Sequence, residues 1–360
     1  MKQAIKNGIP GSHFKIFDGL YLSSIGMGTY LGELTTVDDE KIENAVYESI
    51  KSYAINVIDT ALNYRSMKSE KNIGQAIRKL TEEEKISRDE FFVSTKNGYI
   101  TNDGDYPGID VMEYIQRMFI DNEIIQQSEI SSGYHVMNPN YIARCIDKSL
   151  SNLKLETIDL VYLHNAYESW NRDVSQSRFM EMLSQVFEVY EKYRDNNKIK
   201  YYGLATWSCF RVKPDKKDYL LLDDICKLAQ KIGGPNNGFR FIQLPFNLVY
   251  NEALFLKNQS VENEKNLNIL NAAEKLNIGI FTSVPLLQGK LFNTKIPEYI
   301  NSKSQLVKLI QIIRSAPSII APLIGQKQAE HVRENIQIAN IPPLSKEQFL
   351  DCIKILTTNR

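Results

Sequence analysis

The chain has 360 residues and no net charge, with 43 lysines and arginines balanced by 43 aspartates and glutamates. This balance argues against nucleic acid or an anionic membrane surface as the main partner. Hydrophobic residues make up 43% of the chain, which favours a large core and excludes a disordered protein. We find neither a signal peptide nor an 18-residue apolar span, and no membrane partner is expected.

The four cysteines form no Cys-x-x-Cys pair, so neither a zinc site nor a thioredoxin-like motif is expected. No other metal-ligand spacing is evident. So few cysteines fit a reducing compartment, and we expect a cytoplasmic protein.

The first predicted elements are short. Residues 12–22 suit a β-hairpin with Asp18-Gly19 as its turn. Residues 25–29 suit a strand, and its glycines indicate that a ligand or a neighbouring strand approaches the backbone closely. A helix follows, with Ile42, Ala45, Val46, Ile50 and Tyr53 on one apolar stripe.

Three later strand-like segments end in, or lead to, polar residues. Asp59 ends the second strand, and Tyr64 lies in the loop before the next helical pattern. Lys96 ends the third strand and His164 the fourth. In a parallel α/β protein, the carboxyl ends of the strands and the loops that follow them carry the chemistry. Taken singly, each residue has an ordinary alternative, such as a helix cap for Asp59, a strand-end cation for Lys96 or a core histidine for His164.

Residues 98–138 interrupt the regular pattern with many Gly, Asp, Pro and Asn residues. Because this segment leaves the third strand near Lys96, we expect it to lie over the catalytic mouth. The remaining predicted strands are 200–205, 241–245, 279–284 and 319–324. The remaining predicted helices begin at Pro139 and lie near 175–196, 220–231, 263–276, 306–313, 328–338 and 345–356.

Eight strands, mostly separated by helices, predict a (β/α)8 TIM barrel with an N-terminal hairpin and a long insertion after strand three. We expect one domain over residues 1–360.

The order Asp59, Tyr64, Lys96, His164 resembles the catalytic tetrad of the aldo-keto reductase superfamily. The resemblance implies an NAD(P)H-dependent oxidoreductase that reduces a small-molecule aldehyde or ketone, with Tyr64 as the acid. The chemistry agrees: hydride transfer to a carbonyl leaves negative charge on oxygen, so a proton donor is needed. A cation at Lys96 would bring the pKa of Tyr64 down, Asp59 would hold Lys96, and His164 would orient the carbonyl.

The resemblance also implies cofactor contacts. Gly28 and Thr29 match a Gly-x-Gly-Thr motif that lies under the cofactor, and Gln243 matches a partner of the nicotinamide carboxamide. Thr206 and Trp207 replace a frequent Ser-Asn, although Thr206 can still bond the carboxamide. Ser283 stands where many members place an aromatic ring against the nicotinamide.

After strand eight, Gly325, Lys327 and a helix start suit a phosphate. Glu334 and Asn335 match the family's adenine contact. His331 replaces an arginine that often grips the 2′-phosphate, and this replacement weakens the expectation of NADPH. Because Lys327 remains, we still expect NADPH to be preferred, with NADH possible.

A second class of function remains open, since potassium-channel beta subunits use the same barrel as cofactor-binding regulatory or scaffold proteins. No Gly-x-Ser-x-Gly or His-Glu-x-x-His motif points to another chemistry. The identity of the substrate and the oligomeric state are not determined by the sequence.

Overall fold

A computed structural model describes residues 1–106, 108–293, 302 and 304–358. Its twelve described strands are β1 Phe14–Phe17, β2 Leu20–Ser23, β3 Gly26–Gly28, β4 Val57–Asp59, β5 Phe92–Asn97, β6 Ile158–His164, β7 Ile199–Ala205, β8 Phe239–Pro245, β9 Gln259–Val261, β10 Glu264–Leu267, β11 Gly279–Ser283 and β12 Ile319–Gly325. Strands β3 to β8, then β11 and β12, pair in parallel and close into an eight-stranded barrel. The predicted TIM barrel is confirmed.

The helices surround the barrel. Their bounds are α1 Lys2–Lys6, α2 Thr36–Lys51, α3 Lys68–Glu82, α4 Val111–Ile115, α5 Pro139–Leu153, α6 Ala166–Trp170, α7 Gln176–Asp195, α8 Leu222–Gly233, α9 Glu252–Phe255, α10 Ile269–Lys275, α11 Gln305–Ser315, α12 Ala329–Ile338 and α13 Lys346–Thr358. Short 3₁₀ turns cover Gly11–His13, Arg88–Glu90, Gln127–Glu129 and Leu287–Asn293, and a π turn covers Gln116–Ile120. Within the described residues, no helix is long and apolar enough to cross a lipid bilayer.

Local sequence explains where several helices begin. The Asn138 side chain accepts hydrogen bonds from the first backbone N–H groups of α5, and Pro139 occupies the first turn. Ser175 caps α7 in the same way. On α3, Ile73, Ile77 and Leu80 form the buried face, as helical spacing requires.

The interior of the barrel is filled with aliphatic and aromatic side chains, so it is a packed core rather than a channel. Phe241 packs against Phe92 and Phe281 inside the barrel. The predicted hairpin, β1 and β2, is present, and its turn residues Asp18 and Gly19 both have positive φ, which the tight turn requires. Phe17 of this hairpin contacts Phe241, with ring centroids 4.9 Å apart.

Two secondary-structure predictions are wrong in part. The first part of the predicted helix at 263–276 is strand β10, which pairs with β9, and helix α10 begins only at Ile269. The cause is local, because Glu262 turns the chain with positive φ and Asn268 caps the helix start. Tyr53 lies beyond the end of α2, with φ of 59°, rather than on its apolar stripe.

The described residues of the long segment 98–138 contact both α3 and α5. Asp103, nearly buried, forms ion pairs with Lys71 on α3 and Lys148 on α5. Ile115 and Ile125 are buried in the main core. Since the segment contributes core residues, deleting it would cost stability. That it lies over the catalytic mouth stays a prediction.

Candidate active site

The ends of β4 and β5 bring a carboxylate and an ammonium group together in the barrel. Lys96 Nζ lies 2.6 Å from Asp59 Oδ2 and also donates to the Thr60 carbonyl oxygen at 2.6 Å. The other oxygen of Asp59, Oδ1, accepts hydrogen bonds from Ser94 Oγ at 2.7 Å and Gln243 Nε2 at 2.9 Å. Both members of the ion pair are almost completely buried, at 0% and 5% side-chain exposure. Asp59 is therefore fixed by three donors, and Lys96 is fixed by Asp59.

Tyr64 lies above this ion pair. Lys96 Nζ is 4.6 Å from the centroid of the Tyr64 ring, and Tyr30 packs edge-on against the same ring at 5.0 Å. Burial raises the pKa of Tyr64, the Lys96 ammonium lowers it, and Asp59 raises it again, so that the net direction is upward. Lys96 lowers the pKa of Tyr64 as expected, but desolvation of the phenol outweighs this effect. Tyr64 therefore holds its proton throughout the neutral pH range.

His164 ends β6 with its ring between two phenols. Its centroid lies 5.8 Å from that of Tyr64 and 5.0 Å from that of Tyr99, in edge-on geometry. Burial lowers the pKa of His164 well below its ordinary value, and the Lys96 charge acts in the same direction. The imidazole is neutral at neutral pH, so it can donate a hydrogen bond without adding a charge.

A large cleft, of about 740 Å³, opens at this end of the barrel. Asp59, Tyr64 and His164 line it, whereas Lys96 lies beneath them. All ten residues predicted to contact the cofactor also line this cleft: Gly28, Thr29, Thr206, Gln243, Ser283, Gly325, Lys327, His331, Glu334 and Asn335. The predicted catalytic and cofactor residues therefore share one cavity, although they are spread over most of the chain.

The cleft contains features that suit a nicotinamide dinucleotide. Asn335 is buried, and its Oδ1 has no hydrogen-bond partner among the described residues. At Gly325, an added Cβ would meet only Leu31 Cδ1, at 4.0 Å, so the backbone here is open to a ligand. Helix α12 begins just beyond, and no side chain caps its first N–H groups, which leaves them available to a phosphate.

The Aldo/keto reductase family model matches residues 24–315. The chain therefore belongs to the aldo/keto reductase family. It is an oxidoreductase of this family.

Individual relatives are distant. The uncharacterized oxidoreductase YqkF of Bacillus subtilis (strain 168) is 22% identical over 335 residues, which cover 91% of this chain and 89% of YqkF. An aldo-keto reductase from Klebsiella pneumoniae, solved in complex with NADPH, is 16% identical with a TM-score of 0.61, covering 97% of this chain and 96% of that one. The holo form of an aldo-keto reductase from Bacillus halodurans is 17% identical with a TM-score of 0.59, covering 95% and 96%. These structural likenesses show the shared barrel.

Tyr99 lines the cleft of this aldo/keto reductase and is absent from the residues predicted from the sequence. Tyr99 is the only described residue of segment 98–138 that lines the cleft. Its ring packs between His164 and His135, and its hydroxyl accepts a hydrogen bond from Ser169 Oγ at 3.2 Å. Gly98 precedes it with φ of 108°, and a Cβ there would lie 2.1 Å from His135 Nε2. The signal available in sequence was the glycine two residues after Lys96.

His135 supports this arrangement from behind. Trp170 Nε1 donates to His135 Nδ1 at 3.1 Å, which leaves the ring proton on Nε2. Burial lowers the pKa of His135 to about 3, so this imidazole is neutral. His135 is therefore a buried structural residue that fixes the Tyr99 ring. His13, also buried, donates a hydrogen bond through Nε2 to the Ala54 carbonyl oxygen at 2.7 Å.

Several of the predicted cofactor residues, Gln243 and Lys327 among them, already have protein partners. Gln243 donates one amide N–H to Asp59, so its side-chain oxygen and its second amide N–H remain available to a carboxamide. Lys327 Nζ lies 2.7 Å from Asp38 Oδ2, a contact that the sequence argument did not foresee. Other cleft residues outside the predicted set include Asn63, Asn165, Gln288 and Phe292.

Proposed function

We propose that this chain reduces an aldehyde or ketone to an alcohol, with NADPH as the preferred hydride donor and Tyr64 as general acid. The observation that supports this most strongly is the shared cleft. Tyr64 and His164 line one wall, the Asp59–Lys96 pair lies under them, and the ten predicted cofactor residues form much of the rest. A regulatory protein would need the cofactor contacts but not this buried catalytic pair.

The proposed steps follow from the side chains. When bound, the nicotinamide cofactor supplies the hydride that reduces the carbonyl carbon. Tyr64 donates its phenolic proton to the carbonyl oxygen, and the Lys96 ammonium stabilises the phenolate that results. Asp59 balances the charge of Lys96 and holds it beneath the ring. Neutral His164 donates a hydrogen bond that orients the carbonyl.

The NADPH preference rests on Lys327 and His331, which line the cleft beside the start of α12. The Klebsiella pneumoniae relative was solved with NADPH, which supports the same choice here. We also propose a cytoplasmic location, which the four free cysteines support.

The proposal is tested with a panel of aldehydes and ketones assayed by NADPH oxidation, with NADH run in parallel. We expect turnover of at least one carbonyl class and a higher kcat/KM with NADPH. Cofactor binding without turnover of any carbonyl would favour the regulatory alternative.

Lys327→Ala should reduce the preference for NADPH. A lysine contacts a phosphate as a point charge and lacks the bidentate fit of arginine, so the parent's preference should be modest and sensitive to salt. The measurement is kcat/KM for both cofactors in the parent and the variant. If the ratio of kcat/KM for NADPH to that for NADH is unchanged, Lys327 does not contact the 2′-phosphate.

Tyr99→Leu should change the preference among carbonyl substrates and have a smaller effect on folding. The substitution removes the phenol that packs on His164 and lines the cleft, while the hydrogen bond between Tyr141 Oη and the backbone oxygen of residue 99 can persist. We expect kcat/KM for aromatic aldehydes to fall by about tenfold, as for a lost aromatic contact. Tyr106→Leu, an exposed phenol of the same segment, is the matched control. Equal effects of both variants across the panel would contradict the placement of Tyr99 at the substrate.

A further inference from the structure

The cation proposed for the cofactor phosphate is already paired with a carboxylate. Lys327 Nζ lies 2.7 Å from Asp38 Oδ2. The Asp38 side chain is 9% exposed and that of Lys327 is 29% exposed, so the pair is partly shielded from solvent. We propose that Asp38 is a specificity-determining residue, an inference that rests on the proposed function. Its negative charge partly neutralises the positive charge of Lys327 and so reduces the preference for NADPH over NADH.

Asp38 is fixed at the start of helix α2. Its Oδ2 also accepts a hydrogen bond from the Glu33 backbone N–H at 2.7 Å, and it lies in the first turn of the helix, where the dipole favours negative charge. The Lys327 ammonium and the Glu33 N–H lower the pKa of Asp38. The carboxylate therefore stays ionised beside Lys327 at neutral pH.

This charge acts differently on the two cofactors. A 2′-phosphate carries close to two negative charges, so it must compete with Asp38 for the Lys327 ammonium and is repelled by the carboxylate. A ribose 2′-hydroxyl is neutral and can donate a hydrogen bond to a carboxylate, the device by which acidic residues favour NADH in dinucleotide-binding folds. Asp38 consequently disfavours binding of NADPH and does not disfavour NADH.

The neighbouring loop should survive a change at Asp38. Arg65 holds this loop independently, because its Nε and Nη2 donate to the Glu33 carbonyl oxygen at 3.0 and 2.7 Å. An asparagine at position 38 would keep an oxygen that can accept from the Glu33 N–H. Asp38→Asn is therefore a test of charge rather than of loop structure.

The test measures binding of two adenosine fragments to the full-length protein by calorimetry. Adenosine 2′,5′-bisphosphate carries the 2′-phosphate, and adenosine 5′-monophosphate does not. Asp38→Asn should tighten binding of the bisphosphate on the order of tenfold and leave the monophosphate within about twofold. The kcat/KM ratio for NADPH and NADH should rise in the same variant.

Two controls separate charge from structure. Asp38→Glu keeps the charge and should keep a ratio of dissociation constants close to that of the parent. Glu43→Gln removes one negative charge from the same helix, but its partner is Lys79 on α3, so the ratio should not change. If Asp38→Asn does not fold, Asp38→Ser removes the same charge and takes its place.

If Asp38→Asn keeps the parent's ratio of dissociation constants for the two fragments and an unchanged Tm, the inference is overturned and the proposed function stays intact. The inference would also be overturned if Glu43→Gln changed this ratio as much as Asp38→Asn does, since the effect would then come from net charge. If the parent binds neither fragment, both the inference and the proposed cofactor site are wrong.

Discussion

Tyr64→Phe should remove most carbonyl reduction and leave cofactor binding unchanged. The substitution deletes the only group proposed to supply the proton, while the ring keeps its packing against Tyr30 and His164. A positioned general acid contributes about 10²–10⁴-fold in rate, so we expect kcat to fall by that amount. The measurements are steady-state reduction of the best carbonyl of the panel and the dissociation constant of NADPH.

Tyr30→Phe is the matched control for this substitution, because it removes a neighbouring phenolic hydroxyl from the same cleft. It should retain most of the parent's turnover. Near-normal turnover by Tyr64→Phe, with NADPH still bound, would exclude Tyr64 as the acid. In the parent, reduction should be flat through the neutral range and decline only in alkaline solution, because the pKa of Tyr64 is raised.

The part of the site that could be predicted from sequence is the part carried by strand ends. Asp59 and His164 end β4 and β6, and Lys96 is the penultimate residue of β5. Parallel pairing places such strand ends at one rim of the barrel. Neighbouring strands fix this placement, since Asp59 is level with Ser94 and Lys96 with Tyr162. The barrel and its hairpin followed from the same local patterns.

Other features depend on contacts between distant parts of the chain. Asp38 and Lys327 are 289 residues apart, and neither lies in a motif that names the other. Tyr99 lies in a segment without periodic pattern, so only the fold shows that it packs on His164. The net pKa direction of Tyr64 depends on how far the phenol is removed from water, which no sequence pattern reports.

Lys96→Met should damage catalysis at least as much as Asp59→Asn. Lys96 acts directly on the Tyr64 ring at 4.6 Å, whereas Asp59 acts through Lys96. Removing the ammonium leaves a buried carboxylate without its counter-charge, a change that typically costs about 3–5 kcal/mol of folding stability. The hydrogen bonds from Ser94 and Gln243 to Asp59 remain, so we expect the loss of folding stability to lie at the lower end of this range. Tm and kcat/KM should be measured for both variants.

The pH–rate profiles of these two variants distinguish a catalytic effect from a loss of structure. Lys96 lowers the pKa of Tyr64 and Asp59 raises it. Because the acid must be protonated, reduction declines as the pH rises through the pKa of Tyr64. The alkaline decline should therefore move to higher pH in Lys96→Met and to lower pH in Asp59→Asn. A purely structural role would lower both rates without moving the two profiles in opposite directions, and a Lys96→Met enzyme with the parent's rate and profile would contradict the proposed role of Lys96.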